Sequence, residues 1–245
     1  MPKNYSYSDF WEMRGRQSIW FTRNISYRMG AVVALWASRT GISPNIVSLM
    51  SGAITISSSM LAVYIGQGHW SSSVILIVGL QLGYAFDCAD GPLARATNQK
   101  SSFGILMDKL VDLSSGMIFP CIIAYGAGHF YFNGHPATVR VLITILILRV
   151  VFSAMLWMKE LIVYDADRLQ DDERAHDLWW RIKKAASLYI DEPVYRLGVA
   201  VAWSVTLFWE FFVIYNIGVL VLSLVYLASS KKEMDARDLE SQNQE

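Results

Sequence analysis

Residues 72–112 read SSVILIVGLQLGYAFDCADGPLARATNQKSSFGILMDKLVD. An apolar run closes on Asp87 and Asp90, a short polar connection follows from Arg95 to Phe103, and a second apolar run opens with Asp108 and Asp112. Runs of about 20 apolar residues cross a bilayer as helix, and the two read as spans from about Ser72 to Ala94 and from Gly104 to Gly126. A carboxylate within such a run costs roughly 2.5–3.5 kcal/mol near the bilayer centre, less near the interface or beside a bound cation. Chance retention explains four of them poorly. Their separations of three and four residues put each pair on one helix face. Two antiparallel spans joined by so short a connection can turn these pairs toward each other. Four unneutralised carboxylates would repel there, and a hard divalent cation with oxygen ligands, Mg²⁺, Mn²⁺ or Ca²⁺, resolves the conflict.

The rest of the chain fits this reading. It is 53% hydrophobic, 17% charged and has a mean hydropathy of +0.31, whereas a soluble domain carries about a quarter charged residues. Its nine Trp and twelve Tyr suit bilayer interfaces. A formal net charge of zero gives no bulk basis for nucleic-acid binding. Cys88 and Cys121 form no disulfide framework or zinc pattern, and the first two dozen residues lack the apolar core of a signal peptide. Four further spans are expected: Asn45 to Gly66, Thr138 to Met158, Val194 to Trp209 and Phe212 to Ser229.

Basic residues set the orientation. Lys and Arg fall in the N-terminal segment, in the Arg95–Phe103 connection, in the long segment after Met158 and in the C-terminal tail. They are missing from the alternate connections near Gln67–Ser71, Gly128–Ala137 and Trp209–Phe211. Both termini and the aspartates are therefore expected on the cytoplasmic side. Phe10 to Trp36 mixes aromatics with arginines and reads as an interfacial amphipathic helix; a plain basic topology signal is the alternative for its first half. Leu178 to Leu188 reads as a second surface-lying helix. The expected fold is an all-α integral membrane protein with six transmembrane helices and an N-terminal interfacial helix. Residues 1–44 form the cytoplasmic segment and 45–230 the membrane domain, with 159–193 as a cytoplasmic connection and 231–245 as a polar tail.

Small residues and a guanidinium accompany the carboxylates. Gly91, Ala94 and Gly104 clear space for a bulky group to approach the backbone, and Arg95 can hold a phosphate bidentately. Metal, small residues and arginine together describe a site for a phosphoanhydride. Asp87-x-x-Asp90-Gly91-x-x-Ala94-Arg95, eight residues, then Gly104-x-x-x-Asp108-x-x-x-Asp112 resembles the signature of the CDP-alcohol phosphotransferases (CDP-alcohol phosphatidyltransferases) at every fixed position. Ser43-Pro44-Asn45 and Ser48, at the start of the first span, resemble a shorter element of the same family.

The resemblance implies displacement of CMP from a CDP-linked lipid, commonly CDP-diacylglycerol, by a small alcohol or polyol-phosphate acceptor. It implies Asp87, Asp90 and Asp108 as metal ligands, and Asp112 as a ligand, the general base, or both. It implies Gly91, Ala94, Arg95, Gly104, Asn45 and Ser48 around the CDP group, Mg²⁺ or Mn²⁺ as cofactor with a two-ion arrangement, and a homodimer. Spacing alone does not fix the number of ions.

Other residues carry weaker expectations. Arg149, in the middle of the fourth span, and Arg196, at the start of the fifth, are candidates for an acceptor phosphate. Arg149 could equally pair with a motif aspartate or Glu210, and Arg196 could be a topology or headgroup arginine. His69, His129 and His135 fall on the side away from the aspartates, His176 and the pair Asp165 and Asp167 read as solvated, and Cys88 reads as packing. A transporter is the main competing class, but it needs polar residues through the whole bilayer, and the two aspartate spans turn apolar away from the site. A catalytically dead scaffold would not need all four aspartates.

Overall fold

The computed structural model of the chain describes residues 5–15, 20–132 and 192–218, together with residues 140, 147, 220, 221 and 224. Every regular element among them is helical. A short helix α1, Tyr7–Glu12, precedes a π-helical turn, Thr22–Ser26, that runs into α2, Tyr27–Thr40. Three long helices follow: α3, Pro44–Ile65; α4, Trp70–Ala96; and α5, Ser102–Phe132. Helix α6 spans Glu192–Ser204, and residues 208–218 form α7.

Local sequence marks these boundaries. Gly41 ends α2 in the left-handed region at φ 72°. Pro44, in the first turn of α3, has its φ already set for helix. Thr97 Oγ1 donates to the Leu93 carbonyl at 2.8 Å as α4 ends, and Asn98 takes φ 57°, a conformation asparagine tolerates.

Helix α4 is the hub, packing against α1, α2, α3 and α6. Small residues let it approach its neighbours closely. Gly79 lies against Ser58 of α3, and Gly83 lies against Thr55 and the Ser51 carbonyl. Pro92 lacks the N–H that would bond the Cys88 carbonyl. At that weakened turn α2 comes in through Gly30, where a Cβ would stand 2.9 Å from Cys88 Cβ and 3.0 Å from its carbonyl oxygen. Phe10, Ala31, Ala34, Ala37, Val47, Phe86, Ala89 and Leu93 form the core at this end.

A second core gathers Leu76, Leu80, Phe119, Ile123, Tyr195, Trp203, Phe208 and Phe212. Trp203 Nε1 donates to Ser72 Oγ at 2.8 Å, and Ser72 Oγ donates to the Ala62 carbonyl at 2.8 Å, tying α6, α4 and α3 together. Gln81 Nε2 donates to the Pro193 carbonyl at 2.9 Å. With Pro193 beside Gln81 and Trp203 beside Ser72, α6 runs antiparallel to α4.

Three helices among the described residues are long and apolar enough to cross a membrane: Pro44–Ile65, Trp70–Ala96 and Ser102–Gly128, whose most apolar 18-residue stretches have mean hydropathies of 1.8, 1.5 and 1.5. Their outer faces carry exposed Met60, Tyr64, Trp70, Val78 and Ile105. Apolar side chains this large and numerous on the outside mark a membrane protein. The three match the expected first, second and third spans within a few residues at their ends, apart from the longer tail of α5. Of the expected fourth span only Arg140 and Ile147 are described, both helical, and the segment Leu178 to Leu188 and the tail 231–245 lie outside the described residues.

Two expectations are corrected. The fifth span was placed to Trp209 and the sixth from Phe212, but α6 ends at Ser204 and α7 begins at Phe208. The chain turns where Thr206 adopts φ 60°, and Leu207 N–H bonds back to the Ala202 carbonyl at 2.9 Å. No Gly or Pro signals this turn within an otherwise apolar run. Phe10 to Trp36 is also not one amphipathic helix. Residues 13–15 are not helical and follow the end of α1, whose Phe10 packs in the core with α4.

Candidate active site

Helix α4 carries Asp87 and Asp90 one turn apart, and α5 carries Asp108 and Asp112 one turn apart. The connection between them brings these ends together. Asp87, Asp90 and Asp108 each offer a carboxylate oxygen, and the three oxygens lie within 4.8 Å of one another. Hard oxygen donors at such separations fit a divalent cation such as Mg²⁺ or Mn²⁺. Asp112 meets Asp87 across the helix pair. Buried Ser48, on α3, donates its hydroxyl to Asp90 Oδ2. Lys109 Nζ stands 3.3 Å from Asp108 Oδ2 and 3.3 Å from Asp112 Oδ2, a cation set between the two carboxylates of α5.

Two cavities meet at this cluster. The larger, about 520 Å³, is lined by Asn45, Ser48, Asp90, Gly91, Ala94, Arg95, Gly104 and Asp108, among others. All six residues expected around the CDP group line this cavity. Gly104 sits at a close approach: a Cβ there would stand 3.1 Å from Asn45 Oδ1 and 3.1 Å from Ser101 Oγ, so both side chains would have to shift to admit one. Its N–H donates to Ser101 Oγ at 2.9 Å.

The smaller cavity, about 320 Å³, is lined by Tyr27, Tyr84, Asp87, Asp108, Lys109, Asp112 and Glu192, among others. Asp90, Gly91, Arg95 and Asp108 line both. The cluster thus stands on the wall between two compartments, one bounded by the small residues and one bounded by Asp112. A group held in the first and a hydroxyl held in the second would meet at the carboxylates.

Arg196 is 2% exposed and lines neither cavity. Its Nη2 and Nε donate to Glu192 Oε1 at 2.7 and 3.1 Å, and its Nη1 donates to Thr55 Oγ1 at 3.1 Å and to the Leu80 carbonyl at 3.3 Å. Glu192, not Arg196, reaches the smaller cavity. Arg149 lies outside the described residues.

Several lining residues were not anticipated. The Glu192–Arg196 pair has i,i+4 spacing on one helix, a signal legible in sequence, but nothing in the chain connects it to residues a hundred positions away. Gly15 and Tyr27 reach the smaller cavity only through the packing of the N-terminal segment and α2 on α4, and Tyr84 lines it from α4 itself, one turn before Asp87. Lys109 was passed over because it lies between signature positions rather than on one.

The comparisons with known proteins bear on the same region. No individual curated protein matches the chain. The family model described as CDP-alcohol phosphatidyltransferase matches residues 41–225, from the start of α3 through the four aspartates and beyond α6. The match covers most of the chain and includes every position of the signature around the two cavities, so the chain belongs to the CDP-alcohol phosphatidyltransferase family.

Proposed function

We propose that the chain transfers a phosphatidyl-type group from a CDP-linked lipid, CDP-diacylglycerol, to a small alcohol or polyol phosphate, with release of CMP. The supporting observation is the Asp87, Asp90 and Asp108 cluster, of which Asp90 and Asp108 line both the larger cavity, bordered by all six residues assigned to CDP, and the smaller one, bordered also by Asp87 and Asp112. A Mg²⁺ or Mn²⁺ ion held by these aspartates, or two such ions with Asp112 included, would neutralise the pyrophosphate and the departing CMP.

The chain's own residues supply the rest. Gly91, Ala94 and Gly104 admit the CDP group against the helix backbones, and Arg95 faces its phosphates. The acceptor oxygen forms the new bond to the phosphatidyl phosphorus as the bond from that phosphorus to the CMP oxygen breaks. Asp112 takes the acceptor's hydroxyl proton. A phosphorylated acceptor bound through Arg196 would require that guanidinium to exchange Glu192 for the acceptor. Arg149 is the other candidate for that contact.

The membrane arrangement belongs to the same proposal: six spans, a homodimer, and both termini and the site on the cytoplasmic side. The apolar stripe Ile25, Met29, Val32 and Trp36 is exposed on the π-helical turn and α2, and arginines flank it. This supports contact of the N-terminal region with the lipid surface.

The test is a radiolabelled CDP-diacylglycerol assay with the purified full chain. The acceptor panel comprises glycerol phosphate, inositol phosphate, serine and unphosphorylated polyols, scored for CMP and new lipid. One acceptor should yield both products, and Asp108→Asn should lower the rate by about 100-fold or more. A rate unaltered by that substitution contradicts the reading.

A further inference from the structure

The family match begins at residue 41, yet a segment well before it touches the site. Arg95 donates its Nε–H to the Met13 carbonyl at 2.7 Å. Met13 caps the C-terminus of α1, where carbonyls have no partner within the helix. Arg95 fills that vacancy with a charge-assisted bond. The other end of the guanidinium lies along its own helix: a Cβ at Gly91 would stand 3.2 Å from Nη1 and 3.3 Å from Nη2. Gly91 and Arg95 line both cavities, so Arg95 borders the two compartments with its terminal nitrogens beside Gly91.

The segment that offers the Met13 carbonyl is itself fastened on both sides of Arg95. Tyr5 Oη donates to the carbonyl of Ala96, the next residue, at 2.8 Å. Phe10 is 0% exposed and packs with Phe86, Ala89 and Leu93 of α4. The turn at Met13 is held locally, with its N–H on the Asp9 carbonyl at 3.2 Å and the Arg14 guanidinium 4.0 Å above the Trp11 ring and bonded to the Trp11 carbonyl. A long, flexible arginine is thereby anchored at Nε and left with Nη1 and Nη2 for a ligand. Anchoring before binding reduces the entropy lost when a phosphate is gripped.

We infer that Tyr5–Gly15, outside the matched region, is a positioning element of the donor site, holding Arg95 through the Met13 carbonyl so that its terminal nitrogens meet the donor's phosphates. This rests on the CDP-donor reading above and adds to it a segment the signature does not contain.

The test measures binding of CDP, a soluble probe, to the full chain in detergent with Mg²⁺ by calorimetry, alongside donor and acceptor KM values. Tyr5→Phe removes the bond beside Arg95, and Phe10→Leu loosens the anchor. Each should weaken CDP binding and raise donor KM by about three- to tenfold, leaving acceptor KM unchanged. In an Arg95→Lys background, which lacks Nε, Tyr5→Phe should add nothing. Unaltered CDP affinity in both single variants, or losses that multiply in the double variant, overturns the inference and leaves the donor reading standing. A wild-type chain that binds no CDP with Mg²⁺ overturns both.

Discussion

At Asp90, the proposed metal ligand and its support come from different helices. Ser48, buried on α3, donates its hydroxyl to the carboxylate and fixes which way it faces. Partners of this kind orient a ligand without touching the ion, and their loss costs about 10- to 100-fold in metal affinity. Ser48→Ala should therefore raise the Mg²⁺ concentration for half-maximal CMP release about tenfold, while Ser48→Thr, which keeps the hydroxyl, should stay near wild type. A metal titration checks this, and an unshifted midpoint in Ser48→Ala removes the hydroxyl from the account. Asp87, Asp90, Asp108, Asp112 and the small residues between them were legible because charge in an apolar run is costly and because spacing on a helix is geometry. Met13 was not legible. Its contribution is a backbone carbonyl, a group every residue carries, and only the packing of Phe10 and Tyr5 on α4 gives it a role.

At the scale of elements, α3, α4 and α5 were readable from hydropathy, as three long apolar runs. The turn at Thr206 was not, because an apolar run continues through it and the left-handed residue is a β-branched one. Close approach between helices was only half visible. Small residues in α3 and α4 were plain in the sequence, but the pairing of Gly79 with Ser58 and Gly83 with Thr55 depends on the crossing itself. The connections at the two ends of α4 carry the proposed orientation. The 66–69 connection has no Lys or Arg, while Arg95 and Lys100 border the other. A cysteine at Ser71 should react in intact cells with a membrane-impermeant maleimide, and one at Gln99 only after permeabilisation. The opposite labelling would place the site on the other face.

For the whole molecule, the arrangement of helices explains why a membrane protein would gather four carboxylates. Helix α4 is packed on several sides, and its C-terminal end meets α3, α5, the N-terminal segment and the start of α6 around two cavities. Asp90 and Asp108 line both cavities, and in the proposed function a donor and an acceptor approach from separate compartments and meet at these carboxylates. Family membership fixes the class of reaction, and in the function proposed above the CDP group lies on the Asn45 side and the acceptor on the Glu192 side. The most direct measurement is CMP release from CDP-diacylglycerol by the purified full chain, in the presence of its acceptor, as divalent cation is removed by chelation and restored. The account predicts release that stops without the cation, returns with Mg²⁺ or Mn²⁺, and tracks new lipid one for one. CMP release that continues unchanged under chelation would contradict it.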